Sequence, residues 1–129
     1  MFGPLAGQLA SHRLPVALLA DVLDAFAQDA AQTRYADRGE LLDYCRRSAN
    51  PVGRLLLHLY GIDEAGALAR SDAICSALQL ANFWQDLGVD AARGRVYVPS
   101  ADARRHGVTV DELLGRRDSE RVHALVADL

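Results

Sequence analysis

The chain has 129 residues, half of them hydrophobic and 24% charged, with a net charge of −3 at neutral pH. That composition fits one globular domain or part of one, able to bury a modest core. It gives no reason to expect nucleic acid as a partner. Its apolar runs fall short of the roughly 18 residues of a membrane-spanning helix, and the N-terminal segment lacks the regions of a signal peptide.

Ala and Leu recur at helical spacing along the chain, and strand-like alternation is nearly absent. A short helix is expected over about residues 4–11. A second is expected over about 16–33, with Pro15 at its start and Leu19, Val22, Leu23 and Phe26 on one face. Gly39 breaks the pattern and a third helix follows over 40–48. Pro51 and Gly53 then kink or restart the chain before a segment over 52–60 that stops at Gly61. Asp63 is placed to cap a long helix reaching about residue 91, ended by Gly94. Residues 95–99 read as extended. Ser100 caps a short helix over 101–106, Thr109 forms a capping box with Glu112 over 110–114, and Ser119 caps a last helix over 120–129. The fold class is all-α.

The long helix carries the chemistry. At about 100° per residue, Asp72, Gln79, Asn82, Asp86, Asp90 and Arg93 fall within roughly 40° of Asp86, while Ala73, Ile74, Ala77, Leu80, Ala81 and Trp84 occupy the opposite arc. Asp86 and Asp90 are four apart, so like charge faces like charge. A solvated surface would tolerate that pair, but a cation between the two carboxylates relieves it. Mg²⁺ takes one or two carboxylates and completes its shell with water and phosphate, and Arg93 and Arg95 add positive charge just beyond.

A second stretch, YADRGELLDYCRRSANPVG (residues 35–53), puts Leu41, Tyr44, Cys45 and Ser48 on one helix face, with Ala49, Pro51, Val52 and Gly53 directly after it. Small residues at a break let a ligand or another backbone approach closely, and a plain packing kink explains the same pattern. Arg46 and Arg47 read as surface residues. His12, His58, His106 and His123 are too scattered to form a metal set. Cys45 and Cys75 lack a CxxC or Cys/His cluster and read as reduced, buried side chains of a cytoplasmic protein. No GxSxG, GxxxxGK[ST] or GxGxxG motif is present.

The spacing Tyr44-Cys45-x3-Ala49-x-Pro51-Val52-Gly53, then Ala77-Leu78-Gln79-Leu80-x-Asn82-x3-Asp86-x3-Asp90, then Arg93-Gly94-Arg95-x-Tyr97-x-Pro99 resembles the squalene/phytoene synthase family. The run Asn82-Phe83-Trp84-Gln85-Asp86 is similar in particular to the bacterial hopanoid-pathway, hydroxysqualene synthase branch. Most members carry Arg where this chain has Gln85, which speaks against phytoene synthase.

The resemblance implies an isoprenoid synthase fold, with helices around an apolar cavity and two Asp-rich motifs holding two or three Mg²⁺ ions on prenyl diphosphate. Asp86 and Asp90 match the second motif as catalytic and metal-binding residues, with Asn82 beside them. Tyr44, Val52, Gly53, Gln79, Asn82, Arg93 and Tyr97 match substrate-binding positions. The implied chemistry is of the transferase or lyase type on farnesyl or presqualene diphosphate, towards (hydroxy)squalene. Phytoene synthase-type C20 condensation and a non-catalytic helical interaction module remain alternatives.

No convincing D-x-x-x-D precedes residue 72: Asp21 and Asp24 are three apart, Asp24 and Asp29 five. Residues 1–129 therefore read as the central part of one synthase domain, without the helices bearing the first motif or the C-terminal helices, and the piece alone is expected to be inactive or nearly so. The apolar product implies peripheral contact with the inner membrane, and faces laid bare by truncation imply self-association.

Overall fold

The computed structural model describes residues 2–129, which form nine helices and, among the described residues, no sheet. They are α1 (Gly3–Ser11), α2 (Val16–Ala31), α3 (Arg38–Ser48), α4 (Asn50–Leu59), α5 (Ala65–Gln85), α6 (Leu87–Ala92), α7 (Ser100–Arg105), α8 (Val110–Leu114) and α9 (Glu120–Asp128). The all-α expectation is met, and the capping signals at Thr109 and Ser119 form as read, the first as a complete capping box with Glu112.

Local details differ. The helix expected from residue 40 begins at Arg38, because the Asp37 side chain accepts the Glu40 amide at 2.9 Å and satisfies a first-turn donor. Neither Asp63 nor Ser100 caps a helix: Glu64 and Pro99 occupy those positions and make no side-chain cap bond. The single long helix over 63–91 is instead α5 and α6, divided at Asp86. Arg47 is not a surface residue. Its largely covered guanidinium, 15% exposed, pairs with Asp24 at 2.6 Å and Asp43 at 3.1 Å, tying α2 to α3.

Two apolar clusters hold the bundle. The first gathers Ala25, Tyr35, Leu41, Tyr44, Cys45, Phe83 and Tyr97; the second gathers Val96, Val98, Ala103, Val108, Leu113 and Leu125. Trp84 packs against both. The extended segment over 95–99 explains why the clusters adjoin. Side chains alternate along an extended chain, so Tyr97 enters the first cluster while Val96 and Val98 enter the second. The segment is stitched to the chain after α2 by Val96 N–H to the Thr33 carbonyl at 3.1 Å and Ser100 N–H to the Tyr35 carbonyl at 2.9 Å.

Helix α5 packs chiefly on α4. Gly53 makes that approach close: a Cβ there would lie 2.4 Å from Ser71 Oγ and 2.5 Å from Cys75 Sγ. The close approach expected at the small-residue break is thus made by side chains of a neighbouring helix. Gly53→Ala must displace both, and is expected to cost about 1–3 kcal/mol in urea denaturation. An unchanged midpoint would contradict this packing.

A buried acid fastens the C-terminal helices. Asp102, 3% exposed, accepts from Arg38 Nε at 2.8 Å and from Arg105, while Arg38 Nη2 donates to the Asp128 carbonyl at 3.1 Å. Burial pushes the Asp102 carboxyl up, but hydrogen bonds and charge from Arg38 and Arg105 outweigh it and hold the group below its ordinary value. A depressed folded-state pKa contributes stability above the unfolded carboxylate value of about 3.9, lost as pH falls through the folded value. Asp102→Asn should therefore lower stability by about 1–3 kcal/mol at pH 7. It should also flatten the acid limb of a Tm-against-pH curve; an equally steep limb would rule this role out.

On their outward faces α2, α4 and α5 leave Leu23, Phe26, Val52, Leu56, Leu59, Ile74 and Leu78 between 47% and 66% exposed.

Candidate active site

The division at Asp86 shapes the candidate site. Asp86 has φ −90° and ψ 10°, which ends α5 and starts α6, yet the backbone ladder runs through it. Asp86 N–H donates to the Asn82 carbonyl and Asp90 N–H to the Asp86 carbonyl, each at 2.9 Å. The two carboxylates therefore remain one turn apart as the spacing requires. Past Asp90 the chain folds back on it: the Asp90 carbonyl accepts from both Arg93 N–H and Arg95 N–H at 2.9 Å, with Gly94 at φ +75° completing the turn. That conformation favours glycine. It accounts for the Asp90-x-x-Arg93-Gly94-Arg95 spacing.

Neither Asp86 nor Asp90 has a side-chain hydrogen bond or ion pair among the described residues, whereas Asp24, Asp29, Asp43 and Asp72 all meet arginine. Burial, and then the Asp86 charge, push the Asp90 carboxyl above its ordinary value, while Arg93 and Arg95 pull it back. Two carboxylates one turn apart, neither with a side-chain partner among the described residues, fit a hard divalent cation between them. No group of three His, Cys, Asp or Glu among the described residues is placed to hold a metal. Two protein carboxylates with an open shell are the arrangement Mg²⁺ uses when water and phosphate supply the remaining ligands.

Asn82 is exposed one turn before Asp86, and Gln79 is half-buried further along α5. Arg93 is exposed, and its charge reaches Asp90. These residues line one continuous edge. Asp72 does not serve it: Arg54 takes its carboxylate in a two-point ion pair at 2.8 and 2.5 Å. Val52 is 51% exposed on α4, next to Gly53 at the α5 contact. Tyr44 and Tyr97 are 3% and 5% exposed and belong to the aromatic cluster beneath the edge. Phe83 stacks on Tyr97 at 3.9 Å between ring centroids with 5° between planes, and Tyr44 lies 6.0 Å from Phe83 and 6.3 Å from Tyr97.

Asp29 is the residue that the sequence reading set aside. Its Oδ1 accepts from the Tyr97 hydroxyl at 3.1 Å and its Oδ2 lies 3.7 Å from Arg95 Nη1. Burial and then the Asp29 charge push the Tyr97 phenol up to about 12, and the same two causes, in that order, raise the Tyr44 phenol further. Asp29 belongs to no helical pattern with Asp86 or Asp90, and 68 residues separate it from Tyr97. No short-range spacing could mark it.

The helical bundle, with a carboxylate and carboxamide edge over an aromatic core, has the isoprenoid synthase fold of the squalene synthase type. The chain belongs to the squalene/phytoene synthase family, whose model matches residues 1–129. It is 39% identical over 100 residues to the hydroxysqualene synthase of Sinorhizobium fredii, a match covering 77% of this chain and 34% of that protein. It is 34% identical over 125 residues to the phytoene synthase of Thermus thermophilus, covering 97% and 43%. Among solved structures, squalene synthase HpnC from Alicyclobacillus acidocaldarius matches with a TM-score of 0.90 at 39% identity, covering 95% of this chain and 47% of that one. The chain thus spans between a third and a half of these relatives. Among the described residues, no helix is long and apolar enough to cross a membrane.

Proposed function

We propose that this chain carries one half of a Mg²⁺–diphosphate site in an enzyme that processes farnesyl or presqualene diphosphate towards hydroxysqualene. The observation that carries the reading is the pair of carboxylates at Asp86 and Asp90, one turn apart and without a side-chain partner among the described residues, with the Asp90 carboxyl raised by burial and by the Asp86 charge. When bound there, Mg²⁺ would supply positive charge that stabilises the departing diphosphate. Asp86 and Asp90 hold the ion, and Asn82 offers a neutral oxygen beside them. Gln79 and Arg93 donate hydrogen bonds to diphosphate oxygens, stabilising charge that grows as the bond breaks. Tyr44 and Tyr97 form an aromatic floor that keeps water from the prenyl end.

Hydroxysqualene synthases at 39% identity support the C15 route, and a phytoene synthase at 34% identity across 97% of the chain keeps C20 condensation as the second reading. Two carboxylates are only part of a site for two or three ions, so residues 1–129 are expected to bind diphosphate without efficient turnover. Calorimetric titration with farnesyl diphosphate should show binding that requires Mg²⁺. Equal binding with and without the metal would defeat the proposal.

A further inference from the structure

We infer that Asp29 is a positioning residue that tethers Arg95 and so keeps the Asp86–Asp90 pair open to a cation; this rests on the reading of those two carboxylates as cation ligands. Arg95 starts beside Asp90, since its amide donates to the Asp90 carbonyl at 2.9 Å. A guanidinium anchored there has a nearby unpaired carboxylate to neutralise. In the structure it turns instead to α2. Nη2 donates to the Asp29 backbone carbonyl at 3.3 Å, and Nη1 lies 3.7 Å from the Asp29 carboxylate, so one residue holds the fork by both main chain and side chain.

The surrounding chain fixes that geometry. Arg34 Nη1 donates to the Gly94 carbonyl at 2.6 Å and to the Thr33 carbonyl at 2.7 Å, and Val96 N–H reaches the Thr33 carbonyl. The Tyr97 hydroxyl occupies the other oxygen of Asp29. The strip over 94–97 is therefore pinned at several points to the last turn of α2 and the segment after it, and Asp29 is the pin bearing negative charge. Without the Asp29 charge, Asp90 is the remaining carboxylate for Arg95, and an Arg95–Asp90 ion pair fills the place a cation would take.

The prediction is specific because removing the tethered arginine should repair removal of the tether. The probe is Mn²⁺ alone, read by the electron paramagnetic resonance of the free ion, on the whole 129-residue chain without diphosphate. Asp29→Asn should bind Mn²⁺ about tenfold more weakly than the native chain, on the scale of one charge-assisted contact. Arg95→Met should bind at least as tightly as native. The double variant should return to the Arg95→Met value. The inference falls if Asp29→Asn binds like native, if Arg95→Met binds more weakly than native, or if the double variant stays as weak as Asp29→Asn. Absence of Mn²⁺ binding by the native chain, unaltered in Asp90→Asn, would instead remove the site itself and this inference with it. Arg95→Met leaves Asp29 and its Tyr97 bond in place, so it reads the tether even if Asp29→Asn folds poorly.

Discussion

Asp86→Asn and Asp90→Asn are each expected to weaken Mg²⁺-dependent binding of inorganic pyrophosphate sharply while making the folded chain slightly more stable. The two effects have one cause. At neutral pH the carboxylates repel across a single turn, and relieving an i, i+4 like-charge pair is worth about 0.2–0.5 kcal/mol. For a chain of this size that is a rise in Tm of about 1–2 °C. The sign agrees with the titration of Asp90, whose carboxyl is raised by burial and by Asp86. A group with a raised folded-state pKa stabilises the fold below its unfolded value and loses that contribution as pH rises through the folded one. Its charge is therefore unfavourable at pH 7, and the amide removes it. Asp86 makes no side-chain cap bond at the start of α6, so asparagine there loses none.

Binding goes the other way. Each carboxylate is half of the negative charge that this edge offers the ion, so an amide there should weaken Mg²⁺–pyrophosphate by more than about tenfold. Calorimetry and thermal denaturation on the same samples check both limbs. A scaffold whose polar edge is merely solvated would gain stability and show no metal-dependent binding to lose. A variant that loses both stability and binding would mean that these carboxylates make structural contacts.

What was legible in the sequence follows the reach of each physical signal. Capping at Thr109 and Ser119 is decided within four residues and formed as read, whereas the restart expected at Pro51 and Gly53 falls earlier, at Asn50, with both residues inside α4. The polar edge depends only on helical spacing, and it survives the division at Asp86 because the hydrogen-bond ladder continues across it. Neither Pro nor Gly stands at the division itself, and Gly88 lies inside α6. The wheel placed Asp72 on the edge, but Arg54, 18 residues away on α4, takes its carboxylate. Arg47 read as a surface charge because nothing local shows that Asp24 and Asp43 converge on it from two helices. Asp29 is the clearest case. Its partners Arg95 and Tyr97 arrive through the pairing of two irregular segments, a contact set by tertiary packing alone.

Phe83→Ala is expected to be the most destabilising of these substitutions, because this ring joins the core to the candidate site. Phe83 is 7% exposed and stacks on Tyr97 in a cluster with Tyr44 and Tyr35. Truncating a buried phenylalanine costs about 3–5 kcal/mol through lost transfer energy and the cavity left behind. Against a total of about 5–15 kcal/mol for a typical domain, that is a large share, and it corresponds to a fall in Tm of roughly 10–20 °C. Phe83→Leu, which keeps much of the volume, should cost well under half as much.

The same ring sets the rotation of α5. Phe83 precedes Asp86 by three residues and lies about 60° from it around the helix, so burying the ring fixes how far the neighbouring carboxylate edge is turned from the core. In Phe83→Ala the rotation loses its anchor, and Mg²⁺-dependent binding should weaken even at temperatures where the chain stays folded. Urea denaturation with an unchanged m-value separates lost stability from a change in the unfolded state. A loss below about 1 kcal/mol would mean that the aromatic cluster is held together without Phe83, and the link between core and carboxylate edge would have to run through Trp84 instead.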